Sequence, residues 1–134
     1  MVGAQYALPG ERVCRSSSFS NAVCGLKVIE WTTALNFFPS DRSAPYTIFP
    51  LAHLEDPGHT LVASGDGDSG GSIYTKNGTN FVTARGIVSS APSAGTVVPC
   101  TGVPSSTTRQ CHWDMYFVDI SWILESQNAQ IMTI

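Results

Sequence analysis

Ile73-Tyr74-Thr75-Lys76-Asn77-Gly78-Thr79-Asn80-Phe81-Val82-Thr83 is the stretch that decides the fold class of this chain. Runs of β-branched and aromatic residues flank an Asn-Gly pair. Both turn residues tolerate positive φ, so the pattern reads as a β-hairpin closed by a type I′ turn. Asn77-Gly78-Thr79 is also an N-glycosylation sequon. A motif that short arises often by chance, and the hairpin reading takes precedence.

The same rhythm extends in both directions. Val23 to Trp31, Tyr46 to Leu54 and Phe81 to Ser89 read as strands, with Ser72 to Thr75 and Met115 to Val118 as shorter ones. Pro9-Gly10, Pro39-Ser40-Asp41 and Asp56-Pro57-Gly58 punctuate them. Short strands between frequent turn signals indicate an all-β sandwich or barrel. Near the end, Ile120, Ile123 and Leu124 repeat at helical spacing with Glu125 and Gln127 opposite, which predicts a short terminal helix. Ser90 to Gln110 is mostly Ser, Thr, Pro and Gly and reads as a long loop. No internal repeat or low-complexity tract interrupts the chain.

With 134 residues, 43% hydrophobic and 13% charged, the chain has the composition of one globular domain with a real core. Its formal net charge is -3, and no basic patch carries interleaved aromatics, so nucleic acid is not an expected partner. No apolar run approaches the ~20 residues that span a bilayer, so no membrane partner is expected either. Met1 to Gln5 lacks a basic and apolar leader pattern. Either a signal has been removed or the chain begins mid-protein.

Cys14, Cys24, Cys100 and Cys111 fall into two local pairs. Each pair would close a polar loop between strand-like segments, which favours disulfides over four buried thiols. None has the short C-x-x-C spacing of a zinc site. Disulfides imply an oxidising compartment, and an extracellular location is expected. No metal or cofactor is expected.

Gly67-Asp68-Ser69-Gly70-Gly71 carries the chemistry. A serine hydroxyl is a poor nucleophile. It needs exposure, a base to take its proton, and donors for the developing oxyanion. Flanking glycines allow a tight turn that presents the hydroxyl and lets the N–H groups of Gly67 and Ser69 converge. Asp68 can anchor the turn through an ion pair. Taken alone, the run is equally a polar loop.

Its surroundings resemble the chymotrypsin/trypsin family of serine proteases. Gly67 to Ser72 is similar to the nucleophile loop. Gly86-Ile87-Val88-Ser89-Ser90, beginning seventeen residues past the serine, resembles the strand that pairs with substrate. Phe117 to Leu124 resembles the last strand and the entry to a C-terminal helix. Val13-Cys14-Arg15-Ser16-Ser17-Ser18 and Cys24-Gly25 resemble the bacterial streptogrisin and α-lytic protease branch, in which the two cysteines are joined.

The resemblance covers roughly Gln5 to Gln127 and implies a six-stranded antiparallel Greek-key β-barrel with a short C-terminal helix. Residues 1–134 would then be a single domain, the second barrel of a two-barrel enzyme. It implies Ser69 as nucleophile, with Gly67 and Ser69 supplying the oxyanion hole and Arg15 paired with Asp68. Ala63, six residues before Ser69, would floor the specificity pocket beside Ser64 and make it apolar. Asp114 or Met115 would form the far wall. If Asp114 points inward, a basic side chain would be preferred. Ser89, Ser90 and Ala91 would pair with a polypeptide substrate.

The sequence also departs from that pattern. Ser17 stands where the branch has glycine, 36–62 is longer, and no cysteine precedes the serine loop. In this family the base His and its Asp come from the first barrel. None of His53, His59 and His112 has the setting of that base. His59, ten residues before Ser69, is the nearest local substitute. Three readings follow. The chain is the nucleophile-bearing half of a secreted endopeptidase, a non-catalytic binding or structural module, or a minimal hydrolase using a local histidine. The first implies an apolar face that an N-terminal barrel or another protein would cover.

Overall fold

A computed structural model describes residues 3–37, 41, 44–90, 97–101 and 108–133. Among the described residues, ten strands precede one helix. They are β1 (Gly3–Ala4), β2 (Arg12–Ser17), β3 (Asn21–Phe37), β4 (Tyr46–Glu55), β5 (Ser64–Gly65), β6 (Ser72–Asn77), β7 (Phe81–Ser90), β8 (Val97–Thr101), β9 (Thr108–His112) and β10 (Asp114–Asp119), with α1 at Ile120–Ser126. The main sheet has seven strands in the order β1-β7-β10-β4-β3-β2-β6. β6 also pairs with β7, so hydrogen-bonded neighbours run β7-β10-β4-β3-β2-β6 and return to β7. All pairings on that circuit are antiparallel. The seventh strand is β1, a two-residue parallel addition against Thr83 and Ala84.

Alternation sends one face of these strands inward. On β10, Met115, Phe117 and Asp119 are buried while the residues between them are not. Val13, Leu26, Val28, Ala52, Leu54, Ile73, Val88, Met115 and Phe117 form the centre of the core. Polar side chains anchor the chain around it, two of them at its ends and one at the turn after β4. Arg85 holds the N-terminal segment through Gln5 Oε1, the Tyr6 carbonyl and Glu11 Oε1. Asp119 accepts from the Ala7 N–H and from Trp31 Nε1, and caps α1 through the Ser121 N–H. Asp56 is wrapped by the N–H groups of Gly58, Thr60 and Leu61.

Two expectations are corrected. The 90–110 stretch is not simply a loop, because β8 and β9 pair within it and β9 pairs with β5, making a separate three-stranded sheet. Its turn-rich composition masked the strand pair that Cys100 and Cys111 join. The Asn77-Gly78 hairpin forms, but not as a two-residue type I′ turn. Asn77 ends β6 opposite Phe81, and Gly78 alone of the pair has positive φ. The Asn77 amide donates to Thr83 Oγ1 at 2.6 Å, which holds Asn77 within the ladder.

The cysteines pair as Cys14–Cys24 and Cys100–Cys111, and the pairing fits an extracellular protein. Among the described residues, no helix is long and apolar enough to cross a membrane.

Candidate active site

Residues 66–71 connect β5 to β6, and the tip of the β2–β3 hairpin lies beside them. Gly67 has φ +92, and a Cβ there would stand 2.6 Å from the Phe19 ring, so glycine alone satisfies both the turn and the contact. Gly71 carries no positive φ, but a Cβ on it would stand 2.7 Å from the Ser16 carbonyl oxygen. The glycines therefore let the loop press onto the hairpin as well as turn. Ser18 Oγ donates to the Gly67 carbonyl at 3.4 Å. The Gly70 N–H donates to the Val88 carbonyl and the Val88 N–H to the Gly71 carbonyl, which locks the loop to β7.

Asp68 lies beneath this loop, and it and Arg15 are each 1% exposed. Their direct approach is 4.0 Å, Arg15 Nη1 to Asp68 Oδ2. The closer connection runs through Ser17. Arg15 Nη1 donates to Ser17 Oγ at 2.5 Å, and Ser17 Oγ donates to Asp68 Oδ1 at 2.8 Å. Ser20 adds its N–H at 3.1 Å and its hydroxyl at 2.5 Å, and the Gly65 N–H donates at 2.9 Å. Burial by itself would raise the Asp68 carboxyl. The hydrogen bonds from Ser20 and Ser17, the Arg15 charge and the Gly65 N–H outweigh it and hold the carboxyl below its ordinary range. Arg15 also donates to the carbonyls of Asn21 and Val62.

Above this base Ser69 is exposed, and its hydroxyl donates to the Ser89 carbonyl at 3.3 Å. The loop hydrogen bonds use the N–H groups of Asp66, Asp68, Gly70 and Gly71. Among the described residues, no bond takes the N–H of Gly67 or Ser69. Ser64, Gly65, Asp66, Gly67, Ser69, Val88, Ser89 and Ser90 line a cleft of about 170 Å³. The structure thus brings Ser64, Gly67, Ser69, Ser89 and Ser90 to one place.

Other expected residues lie elsewhere. Ala63 is wholly buried in the core, with Leu61 packed against the same cluster, and does not line the cleft. Asp114 also stays off the cleft, because its carboxylate meets His53 Nε2 at 3.1 Å. Met115, the alternative for the far wall, is buried in the core. Ala91 lies outside the described residues.

None of the three histidines hydrogen-bonds Ser69. His53 stacks on Tyr116, whose phenol is raised by burial and by the nearby Asp114 and Glu30 charges. His59 stacks face to face on Trp113 with centroids 5.7 Å apart. His112 is buried in β9 opposite Ser64. Among the described residues, no cluster of three or more His, Cys, Asp or Glu could hold a metal ion.

Sequence reasoning assigned no role to Ser17, Phe19 or Ser20. For Ser17 a signal was present: two residues beyond Arg15 on one strand, it shares the arginine's face. Comparisons with models of known families, with curated proteins and with solved structures find no match to this chain.

Proposed function

We propose that this chain is the nucleophile-bearing half of a secreted serine endopeptidase, built as a trypsin-like six-stranded Greek-key β-barrel. The antiparallel circuit β7-β10-β4-β3-β2-β6 supports the barrel. The observation that carries the function is the Ser69 loop. An exposed hydroxyl stands at a cleft, on a glycine-bent turn anchored by a buried carboxylate, beside two N–H groups that no described residue uses.

These residues divide the work of acyl transfer. Ser69 Oγ would attack a substrate carbonyl, and the oxyanion formed would accept from the Gly67 and Ser69 N–H groups. Collapse of that intermediate expels the amine and leaves an acyl-serine for water to cleave. The proton of Ser69 must leave to a base, and no histidine described in this chain reaches it. A second polypeptide barrel is the expected source of His and Asp. It would also cover the apolar groove of about 550 Å³ next to Gly70, lined by Ile73, Ile87, Ile120 and Ile131. Ile87 is 38% exposed there.

Base rescue tests the reading. A fluorophosphonate probe should label the purified chain slowly, and added imidazole should accelerate labelling at Ser69, with Ser69→Ala inert. Labelling without added base at the speed of an intact serine protease would sink the half-enzyme reading and make His59 the first residue to mutate. No imidazole effect together with equal labelling of Ser69→Ala would remove Ser69 from the chemistry.

A further inference from the structure

Resting on that reading, we propose that the cleft beside Ser69 selects a polypeptide by one neutral, hydrogen-bonding side chain, of the glutamine or asparagine class. The residue selected is the one whose carbonyl Ser69 would attack.

An orphaned hydroxyl marks the cleft. Ser90 lines the cleft, and its Oγ is buried with no hydrogen-bond partner among the described residues. A buried hydroxyl without a partner is unfavourable, and an unfilled ligand site accounts for one. Ser64 is also buried on the lining. Its hydroxyl donates to the Asp114 carbonyl at 3.2 Å, so its oxygen is left with acceptor capacity. Val88, also buried and on the lining, contributes an apolar wall. Asp66 and Gly67 are exposed and belong to the mouth.

Size and chemistry then narrow the occupant. A cleft of about 170 Å³ is well below the range that holds whole small molecules, so it admits a single side chain. A carboxamide matches the two serines. Its carbonyl accepts from Ser90, and its NH₂ donates to the oxygens of Ser64 and Ser90. An aliphatic side chain of equal length leaves the Ser90 hydroxyl dry. A charged side chain loses its water against two hydroxyls and a valine, and the one charged residue described on the lining is Asp66 at the mouth. The expected preference for the amide over its aliphatic counterpart is at least about tenfold, from one buried polar group left unpaired.

The experiment titrates the ¹⁵N-labelled chain with N-acetyl tripeptide amides that differ only in the last residue: glutamine, leucine, glutamate or lysine. Binding is followed at the amides of Gly67, Ser69 and Ser89. The glutamine peptide should bind tightest. Ser90→Ala should bring glutamine and leucine to within about twofold, the hydrogen bond being gone. Ser90→Thr, which keeps a hydroxyl, should retain the preference. Spectral dispersion confirms that each variant is folded. Leucine, glutamate or lysine binding as well as glutamine would overturn the proposal while leaving the serine site standing, and so would an unchanged preference in Ser90→Ala. If no peptide shifts those amides, the reading of the serine cleft fails, and the side-chain proposal fails with it.

Discussion

Arg15→Ala removes the cation from beside a carboxylate that is 1% exposed. Three losses follow from the same truncation. Asp68 keeps its bonds from Ser20 and Gly65 but loses the charge opposite it, and Ser17 loses the donor that orients its hydroxyl toward Asp68 Oδ1. The carbonyls of Asn21 and Val62 lose a donor each. Breaking a buried pair by deleting one partner costs about 3–5 kcal/mol. With a urea m-value of about 2 kcal/mol/M, the midpoint should fall by about 1.5–2.5 M. Urea unfolding followed by tryptophan fluorescence, disulfides intact, measures it. The same variant should slow imidazole-assisted labelling of Ser69, because the loop above Asp68 loosens. A double-mutant cycle with Ser17→Ala separates the relay from the direct pair. If Arg15→Ala unfolds within about 0.5 kcal/mol of the parent, as an ordinary surface change would, the buried-anchor reasoning is wrong.

Other perturbations have definite expected outcomes. Asp68 and Asp56 both sit below the ordinary carboxylate range, so their stabilisation is complete above about pH 4 and is lost as pH falls through their lowered values. Urea midpoints should hold above about pH 4 and fall below it on that account, and Asp56→Asn should flatten the fall. Replacing both Cys14 and Cys24 with serine should cost about 2–3 kcal/mol, the value for closing a loop of this length, read as a lower thermal midpoint. Ile87→Lys should reduce self-association in sedimentation velocity, since it places a charge in the uncovered apolar groove. Equal sedimentation of parent and variant would exclude that face.

Alternation made the strands legible, but loop chemistry did not reveal the second sheet. Met115 to Val118 and Tyr46 to Leu54 alternate or run apolar, and β10 and β4 extend each by only a residue or so. β8 and β9 have Pro99, Thr101 and Thr108 in a Ser-Thr-Pro-Gly background, where local composition says turn. What organises them is pairing across β9, invisible to a local window. At the site, the Gly-Asp-Ser-Gly-Gly run announced the serine and its anchor. Ala63 shows the limit of counting along a chain. Six residues from Ser69 is a fixed separation in sequence, but whether the side chain enters the cleft or the core depends on how β5 meets β9, through the Ala63 N–H to the His112 carbonyl.

The β2–β3 hairpin explains how the serine loop holds its shape. Cys14 and Cys24 clamp that hairpin at opposed positions. Beyond the clamp, the residues toward its tip meet the loop in turn: Arg15 and Ser17 at Asp68, Ser18 at the Gly67 carbonyl, Phe19 against Gly67, and Ser20 at Asp68 again. β7 holds the other side through Gly70 and Gly71. These constraints on the turn come from this chain, and so do both N–H groups that would receive an oxyanion under the proposed function. Proton removal from Ser69 is the one requirement met by no described residue, so positioning and deprotonation can be separated by experiment. Weakening the hairpin, as in Ser20→Ala, should slow labelling whether or not imidazole is present. It should leave the fold enhancement by imidazole unchanged, because the added base acts on the hydroxyl and not on the turn. An enhancement that collapses in Ser20→Ala would mean that the hairpin also governs access of the base, and the separation would fail.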